Sequence, residues 1–406
     1  MQPVPDRTVV EHQVIDSRAT YLAAIDELLS GTGPIGIDAE RASGFTYSQR
    51  AYLIQVFRRG SGTFLFDPPA IGDFSELNEA LADEEWILHA ASQDLACLRE
   101  VGLDPSRIFD TELAARLLGL PRVGLGTVVE ELLGIHLAKE HSAANWSTRP
   151  LPESWLVYAA LDVELLPDLR DSMVDLLVES GKTDIADQEF AAVLAKEAKP
   201  ARLEPWRRLS GLHAVRGQRS LAVARELWVA RDSLAQELDI SPGRLVPDAS
   251  LVAAARLLPT SRNALADLRE FSGRASRTEL DRWWRAIQQG LASADLPSVK
   301  ANGDALPPPR AWADRNPEAD LRFKAARAAL TAVSEERAVP LENLLTPEHL
   351  RRLAWQPPAP ADAAAVGDAL HVLGARPWQI EATAQLIADA FVEVHQSADV
   401  PPDAAS

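Results

Sequence analysis

Ile35-Gly36-Ile37-Asp38-Ala39-Glu40 is a compact apolar run that ends in two acids, shortly after the glycine-rich segment Gly31-Thr32-Gly33. A short apolar run bounded by a turn predicts a buried strand, which we place at Pro34–Ala39. Side chains two residues apart in a strand point to the same face, so Asp38 and Glu40 should project together from the strand end.

Strand and helix patterns alternate through the first 200 residues, which predicts an α/β layer with a mixed sheet. A Gly-Ser-Gly turn between two of the strands predicts a hairpin. The predicted strands are Thr8–Val14, Pro34–Ala39, Ala51–Arg58, Thr63–Phe66 and Trp86–His89, and the predicted helices are a helix capped by Ser17 that runs to Leu29, Phe74–Ala82, Asp94–Val101, Thr111–Leu118, Thr127–Leu133 and Glu153–Glu179.

The remainder of the chain is predicted to be helical, with two modules separated by proline-containing linkers. The two segments are weak repeats, since Val333 follows Leu234 by 99 positions and Leu350 follows Leu251 by the same offset. The predicted ranges are 1–198 for the α/β domain, 199–216 for a linker, 217–297 for a first helical domain, 298–310 for a Pro-rich linker, 311–396 for a second, diverged helical domain and 397–406 for a disordered tail.

The composition of the 406-residue chain excludes several classes of protein. There is no run of about eighteen apolar residues, so no membrane span is expected. The N-terminus shows no basic end followed by an apolar stretch, so we expect no secretory signal and a cytoplasmic location. The single cysteine, Cys97, excludes a disulfide framework and a multi-cysteine zinc site.

The net charge of −18 at first argues against a nucleic-acid partner, but the charge is unevenly distributed. Residues 1–198 hold 15 Lys and Arg against 33 Asp and Glu, whereas residues 199–300 hold 17 against 11. The basic residues of this middle third are almost all arginine, which pairs with phosphate in a bidentate geometry and stacks on bases. Two interpretations stay open: a phosphate-binding surface, or a solvated helical surface with a chance excess of arginine.

Two further acids lie in settings suited to the same site. Asp94 follows a predicted strand at the start of a helix, and Asp162 lies four residues after Tyr158 on one helical face. Phosphodiester hydrolysis needs an activated water and a stabilised leaving oxygen, and two divalent ions roughly 3.5–4 Å apart supply both. Because carboxylates suit Mg²⁺ and Mn²⁺, the four acids indicate a site for two divalent metal ions, with Tyr158 placed to orient the water.

Three motifs occur in a characteristic order: Ile37-Asp38-Ala39-Glu40, His89-Ala90-Ala91-Ser92-Gln93-Asp94 and Tyr158-Ala159-Ala160-Leu161-Asp162. With Trp146-Ser147-Thr148-Arg149-Pro150-Leu151 between the last two, they resemble the ribonuclease D family, in the tyrosine-bearing subgroup of the DEDD exonucleases. Residues 217–297 resemble an HRDC domain through Arg231-Asp232, Ile240-Ser241-Pro242 and Leu245-Val246-Pro247-Asp248, and residues 311–396 resemble a diverged second copy.

The resemblance implies a ribonuclease H-like fold for the first domain, followed by two all-α HRDC-type domains. It implies two-metal 3′–5′ hydrolysis of RNA that releases nucleoside 5′-monophosphates, with Mg²⁺ or Mn²⁺ held by Asp38, Glu40, Asp94 and Asp162. The implied substrate is RNA with a single-stranded 3′ end, such as a tRNA precursor, and no obligate protein partner is expected. Two alternatives stay open: a single-stranded DNA 3′–5′ exonuclease in repair, and a non-catalytic nucleic-acid-binding protein on the same fold.

Substrate contacts are predicted from three groups of residues. After Glu40 the chain continues with Arg41-Ala42-Ser43-Gly44, where the family more usually has an apolar residue first, so contacts to the 3′-terminal nucleotide should differ here. For stacking and phosphate contact we predict Phe45, Tyr47, Arg50, Trp146 and Arg149, and for RNA binding by the basic middle third we predict Arg207, Arg208, Arg216 and Arg219.

Overall fold

A computed structural model of the protein describes residues 12–137, 143–197, 202–299 and 306–398. These residues form an α/β part up to residue 197, a first helical module over 202–299 and a second helical module over 306–398. Residues 8–11 of the first predicted strand and residues 399–406 of the predicted tail lie outside the described residues. No helix in the described ranges is long and apolar enough to cross a membrane.

The α/β part is built on one mixed sheet, as the sequence predicts. Its strands lie in the spatial order β1-β4-β3-β2-β5-β6, where the bounds are β1 (Val14–Ile15), β2 (Thr32–Arg41), β3 (Ala51–Arg59), β4 (Gly62–Phe66), β5 (Glu85–Leu88) and β6 (Arg107–Asp110). The predicted hairpin is confirmed as the antiparallel pair β3–β4, and β2 pairs antiparallel with β3 and parallel with β5. Strand β6, which the sequence patterns missed, extends the parallel edge beside β5.

Helices cover this sheet, and the first of them begins as predicted, because the Ser17 hydroxyl accepts the N–H of Thr20. The single helix predicted over Glu153–Glu179 is wrong, since it divides at Leu165, two residues before Pro167. Proline lacks the N–H of a helix interior but fits the first turn of a new helix. The described helices are α1 (Arg18–Leu29), α2 (Pro68–Ile71), α3 (Ser75–Ala80), α4 (Leu95–Glu100), α5 (Thr111–Leu117), α6 (Leu125–Leu133), α7 (Glu153–Glu164), α8 (Leu166–Glu179) and α9 (Thr183–Leu194), with a 3₁₀ turn at Ala91–Gln93.

The junction of α7 and α8 crosses β2 at very close range. A Cβ atom added to Gly36 would lie 2.7 Å from the carbonyl oxygen of Val163, so only glycine fits at this point of the strand. Val163 directly follows Asp162, and Gly36 lies two residues before Asp38 on β2. The close crossing therefore brings the helix that carries Asp162 over the strand that carries Asp38.

The first helical module has a hydrophobic core of its own, centred on Trp206, Leu227, Phe271 and Trp283. Tyr47 of the α/β part packs against this core. The helices of this module are α10 (Gln218–Leu238), α11 (Pro242–Leu245), α12 (Asp248–Leu257), α13 (Arg262–Ala266), α14 (Arg274–Thr278) and α15 (Leu280–Ala292), with 3₁₀ turns at Pro205–Arg208, Leu212–Ala214 and Arg269–Phe271.

The second helical module shares one continuous hydrophobic core with the α/β part. Glu189 on α9 is 4% exposed and accepts hydrogen bonds from the Arg376 guanidinium and from the indole N–H of Trp378, the latter at 2.7 Å. A buried ion pair inside a shared core fixes the second module to the α/β part. The helices of this module are α16 (Trp312–Arg315), α17 (Pro317–Glu336), α18 (Leu341–Leu344), α19 (Pro347–Trp355), α20 (Ala363–Val372) and α21 (Pro377–Ala398), with a 3₁₀ turn at Pro309–Ala311.

The 99-residue offset found in the sequence recurs in the helices. The helices α10, α11 and α12 begin at Gln218, Pro242 and Asp248, and α17, α18 and α19 begin 99 positions later at Pro317, Leu341 and Pro347. Three successive helices, α10–α12 of the first module and α17–α19 of the second, are therefore repeated in order and in spacing.

Candidate active site

The carboxylates of Asp38, Glu40 and Asp162 form a compact group, in which one oxygen of each acid lies within 4.8 Å of the others. Asp38 and Glu40 lie on the same face of β2, and α7 brings Asp162 across them. Glu40 is only 9% exposed. The sequence therefore identified three acids that the fold does bring together.

Asp94 lies beside this group at the start of α4, and its side chain is buried. The turn that precedes Asp94 begins at Ala90, which adopts a left-handed conformation with φ of 64°. The Asp110 carboxylate holds that turn by accepting the backbone N–H groups of Ala90 at 3.0 Å and Ala91 at 2.9 Å. Asp110 thus positions Asp94. It was not among the predicted site residues, because it ends strand β6, which was not predicted either.

Burial raises the pKa of each acid in the site, and repulsion from neighbouring acids adds to the shift for Glu40, Asp94 and Asp162. Burial, together with the neighbouring charges of Asp38, Asp162 and Asp94, raises the pKa of Glu40 to about 10. Burial and the charge of Asp38 raise the pKa of Asp94 to about 8 and that of Asp162 to about 7. Burial also raises the pKa of Asp38. Without a cation the site retains protons near neutral pH, and a bound divalent cation would favour the charged forms.

The donor set fits hard divalent cations. The four carboxylates supply only oxygen, which Mg²⁺ and Mn²⁺ prefer, and they are gathered where no described basic side chain forms an ion pair with Asp38, Glu40 or Asp162. Asp94 has one basic partner, Arg41, whose terminal nitrogen lies 3.5 Å from its carboxylate. The four acids outnumber this one basic side chain, and divalent cations would supply the missing positive charge.

Tyr158 lies one helical turn before Asp162 and donates a hydrogen bond from its hydroxyl to the Asp162 carboxylate. Burial, and then the negative charge of Asp162, raise the pKa of this phenol above its usual range. The Tyr158 hydroxyl therefore keeps its proton at neutral pH, so it can orient a polar group in the site and does not itself act as a base.

A cleft of about 530 Å³ opens beside the acids and extends to His89 and the start of α6 at Gly124–Thr127. The Nδ1 atom of His89 lies 2.9 Å from the Thr111 hydroxyl, which donates to a backbone carbonyl. Burial lowers the pKa of His89 to about 4, so the imidazole is neutral at physiological pH. His89 borders the cleft as an uncharged, hydrogen-bonded residue.

The loop after β2, which carries Phe45, Tyr47 and Arg50, contacts the first helical module. The Arg244 guanidinium stacks over the Phe45 ring at 3.9 Å, and the Tyr47 hydroxyl donates to Asp232 at 3.2 Å. Two further contacts reach Asp239, which accepts the Arg50 guanidinium and the Ser48 backbone N–H, each at 2.8 Å. These side chains join two parts of the protein, and their contact with substrate stays a prediction.

Trp146 and Arg149 both form contacts within the α/β part. Full burial corrects the predicted role of Trp146, whereas substrate contact by Arg149, whose side chain is 35% exposed, stays a prediction. Trp146 is fully buried and packs against Trp155, so it cannot line a substrate path. The Arg149 guanidinium donates to Asp67 at 2.6 Å and to the carbonyl oxygens of Trp146 and Tyr52 at 2.8 Å. The contacts of Arg149 hold the segment after residue 143 against the sheet.

The four arginines predicted to bind RNA divide into two pairs. Arg207 pairs with Glu204 at 2.7 Å and stacks on Trp206, and Arg219 donates to the carbonyl oxygen of Ser293 at 2.6 Å. These two form contacts within the first helical module, and their binding of RNA stays a prediction. Arg208 and Arg216, the other pair, are exposed. Within the described ranges, the exposed arginines of this module that form neither an ion pair nor a hydrogen bond are Arg202, Arg208, Arg216, Arg256, Arg269, Arg274 and Arg277.

Gln55 is a second residue that the sequence analysis missed. It lies on β3 directly opposite Asp38, and its side chain is completely buried. No described residue forms a hydrogen bond with either its amide nitrogen or its amide oxygen. Its signal in the sequence is a polar residue within the otherwise apolar run Ala51-Tyr52-Leu53-Ile54-Gln55-Val56.

Three family models match this chain in separate regions. A model described as a 3′-5′ exonuclease matches residues 13–178, and one described as an HRDC domain matches residues 220–287. A model described as a 3′ to 5′ exonuclease C-terminal domain matches residues 305–391. The second helical module thus matches a model of its own, although its helices α17–α19 repeat α10–α12 of the first module.

Named relatives match most of the chain. Ribonuclease D of Granulibacter bethesdensis is 31% identical over 359 residues, which cover 85% of this chain and 87% of that protein. Ribonuclease D of Escherichia coli is 30% identical over 337 residues, which cover 82% of this chain and 87% of that protein.

Solved structures extend the match to the whole architecture. A protein from Bifidobacterium adolescentis has a TM-score of 0.87 at 37% identity, covering 94% of this chain and 97% of that chain. The E. coli RNase D structure, described as an exoribonuclease involved in structured RNA processing, has a TM-score of 0.69 at 26% identity and covers 96% of this chain and 99% of that chain. On the identity and coverage of these matches, together with the exonuclease and HRDC models, the chain belongs to the ribonuclease D family of 3′–5′ exoribonucleases.

Proposed function

We propose that this protein shortens RNA from the 3′ end by two-metal-ion hydrolysis and releases nucleoside 5′-monophosphates. The proposal rests on the compact group of Asp38, Glu40 and Asp162, with Asp94 beside it, at the edge of an open cleft. The proposed substrates are the 3′ ends of tRNA precursors, and the proposed location is the cytoplasm.

Each site residue has a separate role in this proposal. Asp38, Glu40, Asp94 and Asp162 would hold two Mg²⁺ or Mn²⁺ ions, which when bound supply the charge for water activation and leaving-oxygen stabilisation. The Tyr158 hydroxyl retains its proton and orients the attacking water beside Asp162. Asp110 keeps the Ala90–Ala91 turn in place so that Asp94 faces the other acids.

The cleft and the charge distribution support the end of a nucleic-acid chain as substrate. The cleft extends from the acids to the start of α6, which leaves room for a terminal nucleotide. The α/β domain is strongly negative and should repel the rest of an RNA chain, whereas residues 199–300 have an excess of basic residues. We therefore propose that RNA upstream of the cleaved end follows exposed arginines of the first helical module.

The test is degradation of a 5′-labelled tRNA precursor with a 3′ extension, compared with a short single-stranded RNA and a DNA of the same sequence. Each reaction is run with Mg²⁺, with Mn²⁺ and with EDTA. The proposal predicts a ladder that shortens from the 3′ end of RNA, release of nucleoside 5′-monophosphates, and no turnover in EDTA. Asp38→Asn serves as the inactive control, because it removes one acid of the compact group.

Other outcomes identify the two alternatives. Faster shortening of the DNA than of the RNA would make the protein a DNA exonuclease, because the four acids do not distinguish ribose from deoxyribose. Binding of either nucleic acid without metal-dependent shortening would make it a binding protein on the exonuclease fold. Trimming of the short RNA but not of the precursor would retain the chemistry and reject the tRNA substrate.

A further inference from the structure

Arg41 is a basic residue placed at the edge of the acidic site. It is the last residue of β2 and follows Glu40 directly. Regular alternation along a strand would point Arg41 away from the face that Glu40 occupies. The pairing of β2 with β3 shifts register between Glu40 and Arg41, and such irregularities redirect side chains. Arg41 accordingly lines the same cleft as the acids.

Among the described acids, Arg41 forms an ion pair with Asp94 alone, and that ion pair is loose. Its terminal nitrogen lies 3.5 Å from the Asp94 carboxylate, at the outer limit of a hydrogen bond. The Arg41 side chain is 25% exposed, and that of Asp94 is 8% exposed. Among the described residues that line the cleft, Arg41 is the only lysine or arginine. Asp94 thus has a cationic partner that can leave without breaking a strong bond.

We propose that Arg41 is an internal counter-cation for Asp94, which occupies this carboxylate in the metal-free protein and competes with a divalent ion for it. The inference rests on the proposed metal site, since it concerns the affinity of that site. Arg41 is a positioning residue in this account and acts through Asp94. Its charge offsets the negative charge of those acids that are ionised when no metal is present, and it weakens metal binding by the same interaction.

Two opposite effects follow from removing the charge. In Arg41→Met the metal-free site loses its cation, so the melting temperature in EDTA should fall. The same variant offers Mn²⁺ a site that is more negative by one charge, so Mn²⁺ should bind at least about tenfold more tightly. A residue with a merely structural role would lower the melting temperature equally with and without Mn²⁺.

The experiment measures Mn²⁺ affinity by calorimetry and melting temperature in EDTA and in saturating Mn²⁺. The variants are Arg41→Met, Arg41→Lys, which keeps the charge, and Arg107→Met as the matched control. Arg107 forms a similarly loose ion pair with Glu85, at 3.7 Å, where β5 and β6 begin. Arg41→Met should show tighter Mn²⁺ binding and a larger Mn²⁺-induced rise in melting temperature, whereas Arg41→Lys and Arg107→Met should bind Mn²⁺ like the wild type.

The outcomes separate this inference from the proposed function. If the wild type takes up no Mn²⁺, the metal site itself is wrong. If the wild type binds Mn²⁺ and Arg41→Met binds it no more tightly, the metal site stands and the role of Arg41 is overturned. Equal losses of melting temperature in EDTA and in Mn²⁺ overturn it as well.

Discussion

Asp239 and Ala338, which are 99 positions apart in the sequence, adopt the same left-handed conformation, with φ of 47° and 48°. Each residue lies just after the long helix of its module, α10 or α17, and each contacts the α/β part. Asp239 accepts the backbone N–H of Ser48, and the carbonyl oxygen of Ala338 would lie 2.6 Å from a Cβ added to Gly119. The two helical modules therefore dock on the α/β part through equivalent turns.

The Asp239 turn provides the first prediction. Asp239→Gly keeps the left-handed backbone but removes the carboxylate that accepts from Ser48 and Arg50, a loss of about 1.5–3 kcal/mol. Amide exchange at Ser48, followed by hydrogen–deuterium exchange, should become roughly 10–100-fold faster. Ala338→Gly is the matched control and should leave Ser48 unchanged. If the Ser48 amide of Asp239→Gly exchanges at the wild-type rate, the Asp239 carboxylate does not hold this loop.

The raised pKa values of the site acids predict how stability depends on pH. In the metal-free folded protein Asp162 titrates at about 7 and Asp94 at about 8, whereas unfolded aspartate titrates near ~4. Between these values the folded state binds more protons than the unfolded state, so stability should fall as pH rises from ~5 to ~8.5. Asp162→Asn removes one of these groups, so its melting temperature in EDTA should exceed that of the wild type at high pH.

Saturating Mn²⁺ should flatten this pH dependence, because bound cations keep the acids ionised in the folded state. Calorimetry in two buffers of different ionisation enthalpy should also show protons released when Mn²⁺ binds near neutral pH. A wild-type melting temperature in EDTA that rises relative to Asp162→Asn over this range would contradict the account.

The acids of the site were predictable because their geometry depends on local spacing. Residues two apart on a strand, or four apart on a helix, share one face whatever the rest of the chain does. Asp38 with Glu40 on β2 and Tyr158 with Asp162 on α7 are such pairs. Asp110 was not predictable in this way, because it contacts Ala90 and Ala91 from a four-residue strand that is too short to show a pattern.

The substrate contacts were not predictable from residue type. Phe45, Tyr47 and Arg50 have the chemistry of nucleotide contacts, but the same chemistry suits the arginine and acids of the first helical module. Their contacts depend on how the first helical module packs on the α/β part, and no local sequence pattern predicts that packing. Trp146 shows the same limit, since an aromatic residue near the motifs proved to be fully buried.

Tyr158→Phe should separate the role of the hydroxyl from that of the acids. The variant removes one hydroxyl that donates to Asp162 and keeps all four carboxylates. We expect the rate of hydrolysis of a short RNA to fall by roughly 10–10³-fold, while Mn²⁺ affinity changes little. Single-turnover rates and calorimetry measure the two quantities. Loss of Mn²⁺ binding together with activity would show that the tyrosine supports the metal ligands.

Arginines of the first helical module should bind RNA away from the cleaved end. Arg274 and Arg277 are exposed on α14, which packs beside α11, and α11 contacts the loop after β2 through Arg244. Reversing both charges should raise KM for a tRNA precursor and lower the salt slope of binding by about 0.7–0.9 for each lost phosphate contact. KM for a short oligonucleotide should change little.

A double charge reversal at Arg315 and Arg327 is the matched control for this prediction. Both residues are exposed on the second helical module and form no ion pair with a described residue. The control makes the same change in net charge, so it should leave precursor binding near the wild-type value. Equal effects of the two double variants would show that overall charge, and not this surface, governs binding.

The proposed metal site is tested most directly by the rate at which Asp38→Asn, Asp94→Asn and Asp162→Asn release nucleoside 5′-monophosphates from a short RNA in Mn²⁺. Each variant removes one of the buried acids proposed to hold the metal ions, while the fold retains its core. The account predicts that each rate falls by at least about 10²-fold, because the charge stabilisation that metal ions provide is worth several kcal/mol. Near-wild-type release by any one of the three folded variants would contradict it.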